Sequence, residues 1–253
     1  LLAADGSDIQ IPTDSKHTDS YFPGTNGQAP YSLLHLNAVY DLLLHTYIDV
    51  DLCGRRDWNE QRALVNMVDR SFVEKALIIA DRGYESYNLM AHIQEEGWKF
   101  LIRVKDIYSA GIASGLELPD SDEFDLHCPI QLTRRKKAET IPLFADRNHY
   151  KWIGTSTPFD YLPTGSHKHD PIAFYDLPFR IVRFKLSDST YETVITNLDE
   201  ESFPPEELKH FYGMRCGIET AFRELKYTWG LLQFHAKKVE NITQEIYARL
   251  IMY

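Results

Sequence analysis

The chain has 253 residues, 43% of them hydrophobic and 25% charged, with a formal net charge of −10. That balance suits a soluble globular protein made of one large domain, or of one domain carrying an insertion. It argues against a protein whose whole surface grips nucleic acid, yet it leaves room for local basic patches and for carboxylates gathered around divalent metal. No apolar run approaches the roughly 20 residues that span a bilayer, and no signal peptide opens the chain. The three cysteines, Cys53, Cys128 and Cys216, match no disulfide or metal spacing, so a reducing, cytoplasmic setting is expected.

In chain order, residues 1–12 read as a strand ending at Pro12, and the Gly-, Pro-, Ser- and Asp-rich residues 13–30 as a loop. The stretch "YSLLHLNAVYDLLLHTYIDVD" suits two strands with a short turn near Asp41. "RDWNEQRALVNMVDRS" is an expected helix with Asp57 as its N-cap. "KALIIADRGY" reads as a buried strand that breaks at Asp81-Arg82-Gly83, "SYNLMAHIQEEG" as a short helix closed by Gly97, and "WKFLIRVK" as another strand. Residues 106–200 change character. They carry few helical signals and a hairpin candidate, "FRIVRFKLSDSTYETVITNL", turning at Ser187 to Ser189. Helices resume at Ser202, an expected cap followed by prolines in the first turn. The pattern predicts an α/β fold whose mixed sheet is flanked by helices. Its core is residues 1–105 and 201–253, interrupted by a β-rich insertion at 106–200. The opening at Leu1 without Met and the apolar helical pattern at the close suggest an excerpt of a longer protein.

The segment "YGMRCGIETAFRELK" reads as one amphipathic helix. On a wheel of about 100° per residue, Tyr212, Arg215, Glu219 and Lys226 fall within an arc of about 60°, and Arg223 lies close to it. Met214, Ile218, Ala221, Phe222, Leu225 and Trp229 fill the adjoining sector, so the charged line borders the buried face, while Glu224 points to solvent. A solvated face laced with i,i+4 pairs would explain the same charges, but such a face normally lies opposite the core. Two aspartates occupy strand positions: Asp5 inside or ending the first strand, Asp81 at the end of the most apolar one. Each could be no more than a strand-end turn, since Asp-Gly and Asp-Arg-Gly are turn sequences. Together, Asp5, Asp81 and Glu219 offer three hard oxygen ligands from two strands and a helix, a donor set suited to Mg²⁺. Two such ions can clamp both oxygens of an in-line phosphoryl transfer, with Arg215 and Lys226 placed to face phosphate.

Tyr212, Arg215, Glu219 and Lys226, at intervals of two, three and six intervening residues, resemble the Y-R-E-K signature of bacterial insertion-sequence DDE transposases of the cut-and-paste branch. "DGS" at Asp5 to Ser7 and "ADRGY" at Ala80 to Tyr84 resemble that family's regions around its first two catalytic aspartates. The resemblance covers nearly the whole chain and implies a ribonuclease-H-like core with a β-rich insertion before the last catalytic helix. It also implies roles. Asp5, Asp81 and Glu219 would be the catalytic residues and bind two Mg²⁺ ions, with Mn²⁺ able to substitute. Tyr212, Arg215, Lys226 and Arg223 would hold transposon-end DNA, and Trp152, the one tryptophan of the insertion, would stack a flipped base in relatives that pass through a hairpin. The partners would be transposon ends, target DNA and a second copy of the chain, with no membrane, in a bacterial cytoplasm. The chain departs from the family's pattern in its acidic net charge and in showing no recognisable N-terminal end-binding domain, which bears on DNA binding by this piece and not on the chemistry. A stand-alone nuclease of the same core, or a decayed or domesticated copy that only binds DNA, are the rival readings.

Other features have ordinary explanations. "TRRKK" at Thr133 to Lys137 is a local basic patch, and Asp49 and Asp51 share a solvated strand face. His167 and His169 in "GSHKHD" could ligate metal, although a polar loop accounts for them as well.

Overall fold

The computed structural model describes residues 1–25, 27–165 and 170–253. His167 and His169, the alternative metal ligands, lie outside the described residues. The elements in chain order are β1 (Leu2–Ile11), β2 (Tyr21–Phe22), β3 (Tyr31–Asp41), β4 (Thr46–Gly54), α1 (Glu60–Asp69), β5 (Leu77–Ala80), α2 (Tyr87–Glu95) and β6 (Lys99–Arg103). They continue with β7 (Phe124–Thr133), β8 (Tyr150–Trp152), β9 (Tyr175–Ser187), β10 (Thr190–Thr196), α3 (Pro205–Met214), α4 (Cys216–Arg223) and α5 (Val239–Met252). The chain divides into two compact units, one of residues Leu1–Phe72 and Gly213–Tyr253 and one of Val73–Tyr212.

In the first unit, β3 pairs antiparallel with β1, β2 and β4. The β1–β3 ladder is unbroken from Leu2↔Asp41 to Ile11↔Ser32, which sets Asp5 opposite Ala38, well inside the strand. The Asp-Gly pair at 5–6 is therefore strand interior and not a turn. Ala3, Ala4, Ile9, Leu36 and Ala38 are wholly buried and anchor this sheet. The β3–β4 turn forms where the sequence expects it: Asp41 accepts from the backbone N–H groups of Leu43 and Leu44 at 2.8 and 3.1 Å. The cap of α1 is not Asp57, which belongs to a 3₁₀ turn over Arg55–Asp57. That turn postpones the helix, and Asn59, with extended backbone, accepts instead from the Arg62 N–H at 3.0 Å.

In the second unit the strand order is β5-β6-β10-β9-β7-β8. The pairs β5–β6 and β7–β8 are parallel and the rest antiparallel. The crossover from β5 to β6 runs through α2, capped by Ser86 and terminated at Gly97, whose φ of +72° closes the helix end without strain. The β9–β10 hairpin turns at the expected place, with Ser187 opposite Thr190. Buried Arg180 on β9 grips Asp125 of β7 and donates to the carbonyls of Leu198 and Phe203, both at 3.1 Å. This fastens the strands to the approach to α3, which starts at Pro205 rather than at Ser202.

The expected single helix over 212–226 is interrupted. α3 ends at Met214, α4 starts at Cys216, and Glu224–Thr228 form a π-helical turn. Gly213 and Gly217 weaken continuous helix here. At Gly217 the absence of a side chain has a use, since a Cβ would lie 2.7 Å from Leu42 Cδ2. The wider turn shifts the rotation of everything after Glu224. Leu225 stays buried, but Trp229, expected on the apolar face, is exposed.

Candidate active site

The site in the first unit is built on four consecutive residues of β1, Asp5-Gly6-Ser7-Asp8. Side chains alternate across a strand, so Asp5 and Ser7 face one side while Gly6 and Asp8 face the other. Each side has its own helix.

On the α4 side, Arg215 sits at the break between α3 and α4. Its Nη1 lies 3.5 Å from Asp5 Oδ2, and its Nη2 donates to Glu219 Oε1 at 2.7 Å. One guanidinium thus holds a strand carboxylate and a helix carboxylate at once. Asp5 Oδ1 also accepts from the Gly6 N–H at 2.9 Å. Two positions along the strand, the π turn brings Lys226 down onto β1, where its Nζ donates to Ser7 Oγ and to the Asp8 carbonyl, both at 2.7 Å. Burial pushes the Lys226 ammonium below its ordinary pKa, with Asp8 acting in the opposite direction. Lys226 is thus anchored to the strand that carries Asp5.

On the α1 side, His35 of β3 is buried. Its Nδ1 is 2.6 Å from Asp8 Oδ1, and its Nε2 stands 3.2 Å from Glu60 Oε1, within ion-pair range but without the alignment of a hydrogen bond. Arg55 Nε also reaches Asp8 Oδ1, at 2.7 Å, and its guanidinium lies 3.8 Å over the Trp58 ring. Burial opposes charge on both partners, but the contacts win. Glu60 and Asp8 hold His35 above its ordinary value, and His35 and Arg55 hold the Asp8 carboxyl below its own. This layer leaves no room at Gly6, where a Cβ would lie 2.5 Å from His35 Nε2 and 2.6 Å from Glu60 Oε1. This layer is absent from the expected site residues, although the second acid of "DGSD" and the histidine in the largely apolar stretch "LLHLNAVY" signal it.

Arg223, at the end of α4, is exposed. Glu224 is exposed as expected but is not idle, since it accepts from the Tyr253 hydroxyl at 2.8 Å. Asp49 is likewise not simply solvated; Arg70 binds it in a two-pronged pair at 2.7 and 2.9 Å.

The remaining sequence candidates belong to the second unit. Asp81 ends β5 and caps the 3₁₀ turn Arg82–Tyr84, accepting from the Gly83 N–H at 2.7 Å. Tyr212 is buried on α3. Trp152, at the end of β8, is 41% exposed; its indole N–H donates to the Arg134 carbonyl at 3.3 Å, and Lys136 Nζ lies 5.1 Å over its ring. The "TRRKK" patch is split by role. Arg134 spends its guanidinium on the carbonyls of Gly154, Thr157, Phe159 and Leu162, pinning that loop, and Arg135 pairs with Asp170 at 3.6 Å.

The donor set suits a hard divalent cation. Asp5 and Glu219 offer carboxylate oxygens, of the kind such an ion prefers, within reach of one positive group. Among the described residues no three His, Cys, Asp or Glu side chains form a ready-made metal cluster. No helix among them is long and apolar enough to cross a membrane.

Comparison with known proteins agrees with this chemistry. The sequence matches the family described as "Transposase DDE domain" over residues 1–253. No curated protein sequence matches it. Among solved structures, the fold is similar to that of the piggyBac transposase in its synaptic complex with hairpin DNA. The TM-score is 0.51 at 10% sequence identity, and the match covers 98% of this chain and 44% of that one. The chain therefore spans less than half of that protein's length.

Proposed function

The chain belongs to the transposase DDE domain family, and from that premise we propose that it is the part of a transposase that cuts transposon ends and joins them to target DNA. Domains of this family act on DNA as nucleases and transesterases and use divalent metal ions. In our reading Asp5, Asp81 and Glu219 hold two Mg²⁺ ions, with Mn²⁺ an acceptable substitute. The observation that carries the reading is Arg215 spanning Asp5 and Glu219, because it puts a strand carboxylate and a helix carboxylate on one cation. When bound, the ions supply Lewis-acid stabilisation of charge at the reacting phosphate.

The chain's own residues do the rest. Lys226 and the His35–Asp8–Arg55 layer fix the strand that carries Asp5. Arg215, Arg223 and Tyr212 serve the phosphate backbone of the transposon end, and Trp152 offers an exposed ring for an unpaired base. The reaction would be attack of water on the end phosphodiester, followed by attack of the freed 3′-hydroxyl on target DNA. Residues 106–200 form the β-rich insertion between the two parts of a ribonuclease-H-like core, 1–105 and 201–253. Two copies would act on paired ends, in the cytoplasm of a bacterium carrying an insertion sequence.

The test is cleavage of an end-bearing duplex in Mg²⁺ or Mn²⁺ by the full-length protein. Asp5→Asn, Asp81→Asn and Glu219→Gln should each remove cleavage while leaving the fold intact. Full cleavage by any one of them removes that residue from the site.

A further inference from the structure

We propose that Arg215 is a resident counter-ion of the metal-binding carboxylates, displaced when a divalent ion enters and then passed to a DNA phosphate, so that metal loading and DNA grip are coupled. The inference rests on the assignment of Asp5 and Glu219 as metal ligands.

Asp5 and Glu219 present their carboxylates to the same guanidinium. Without a cation between them they would repel one another. Arg215 supplies positive charge to both, 3.5 Å from Asp5 Oδ2 and 2.7 Å from Glu219 Oε1. At 2.7 Å the Nη2–H takes a lone-pair position of Glu219 Oε1, and its fixed positive charge opposes a divalent ion seated on the same two carboxylates. Guanidinium and metal therefore compete for these carboxylates, by charge and for Oε1. A guanidinium cannot leave the contest by losing its proton, so metal entry favours its moving away. Lys226 cannot take its place, because its ammonium is held by Ser7 and the Asp8 carbonyl. Arg215 stands at the break between α3 and α4 rather than in mid-helix. A guanidinium released there carries a planar fork of donors that matches phosphate as well as it matched the carboxylates. The metal thus supplies the charge that Arg215 supplied, and DNA acquires a contact that the metal-free protein lacks.

Two consequences separate this from a structural ion pair. Removing Arg215 should strengthen metal binding, because the competitor is gone and a larger fraction of the protein is ready for metal. Metal should also strengthen the wild-type grip on DNA by about one phosphate contact.

The experiment titrates Mn²⁺ into the wild-type chain, Arg215→Gln and Arg215→Lys, reading free Mn²⁺ by electron paramagnetic resonance. Duplex binding is then measured against salt in Ca²⁺ and in EDTA. Arg215→Gln should bind Mn²⁺ about fivefold or more tightly than wild type, in the usual range of site coupling. Arg215→Lys, which keeps the charge but loses the fork, should fall between. The salt slope of wild type should steepen by about one in Ca²⁺, and that of Arg215→Gln should not change. Equal or weaker Mn²⁺ binding by a folded Arg215→Gln overturns the proposal. If that variant fails to fold, the Arg215→Lys comparison and the wild-type salt slopes decide in the same way. A wild-type chain that takes up no Mn²⁺ removes the metal assignment itself, whereas Mn²⁺ uptake indifferent to Arg215 removes only the exchange.

Discussion

Lys226 reaches from a π-helical turn to β1, and its ammonium donates to the hydroxyl of Ser7 and the carbonyl of Asp8 at 2.7 Å each. Hydrogen bonds to a charged group contribute about 1.5–3 kcal/mol each where water is partly excluded, and Lys226 is about half-buried. Lys226→Met should therefore lower stability by roughly 1–3 kcal/mol, read as a shift of the urea midpoint at unchanged slope. The same variant should lose cleavage beyond what its DNA affinity explains, because the strand bearing Asp5 loses its clamp. A variant with normal stability and only weakened DNA binding would return Lys226 to a phosphate-contacting role.

The buried histidine makes the α1 side sensitive to pH. The folded-state pKa of His35 is raised above its ordinary 6.5. Its contribution to stability is thus complete below about 6.5 and is lost as pH climbs through the raised value. Asp8 is lowered below 3.8, so its contribution is present above 3.8 and is lost as pH falls through the lowered value. Stability supplied by the pair should peak between these limits. Urea denaturation of wild type and His35→Gln across pH 4–9 tests this: the variant should lack the alkaline decline. Parallel curves would show that His35 carries no linked proton.

Gly6→Ala is expected to cost about 1–3 kcal/mol, the usual penalty of an overpacked site, because the new methyl would meet His35 and Glu60 at 2.5 and 2.6 Å. Buried His35, paired with Asp8, has little freedom to retreat, whereas the Glu60 carboxylate can swing aside. A thermal melt measures the loss. An unchanged melting point would mean that the α1 layer is loose.

Glu219 and Glu224 lie near one another in sequence but do different work. Glu219→Gln should abolish strand cleavage. Glu224→Gln should leave it nearly intact and weaken only the contact with the Tyr253 hydroxyl, worth about 0.5–1.5 kcal/mol. Equal loss of cleavage in both variants would defeat the distinction.

In the second unit, Arg134 and Lys136 should also part company. Arg134→Ala leaves the carbonyls of Gly154, Thr157, Phe159 and Leu162 without their donor and should destabilise the loop, seen as faster amide exchange over 154–162. Lys136→Ala should leave exchange unchanged and lower single-strand affinity. Trp152→Ala should weaken it by about 1–3 kcal/mol if the ring stacks a base. Indole fluorescence quenching on adding oligonucleotide reads the second effect.

Much of the framework was legible because it rests on local signals. Alternation of apolar and polar residues marked β3, an uninterrupted apolar run marked β5, Gly97 marked the end of α2, and the polar triplet at 187–189 marked the hairpin. What escaped depends on partners distant in sequence. Asp5-Gly6 has turn chemistry, yet the ladder with β3 overrides it. Asp57 is a good cap, but a 3₁₀ turn consumes it and hands the role to Asn59. A wheel of uniform pitch cannot anticipate a π turn, so it misplaced Trp229 while still grouping Arg215 with Glu219, whose contact spans one ordinary helical turn. Arg134 looks like surface charge in the sequence, because its four carbonyl partners lie 20 to 28 positions away.

The interior placement of Asp5 has a consequence for how this chain can change. Its neighbours within β1 and its ladder partner on β3 decide which way its carboxylate points. Inserting or deleting one residue between Leu2 and Asp5, or in the facing stretch Ala38–Asp41, would force either a bulge or a shift of pairing. A shift by one would turn the aspartate toward His35 and bring a neighbour toward Arg215. Length variation should therefore be nearly forbidden there and common in the loop of residues 13–20, where extra residues disturb no ladder. A deep insertion scan, selecting for cleavage, would show this as a sharp blank over β1 and its β3 partners beside a permissive loop a few residues away.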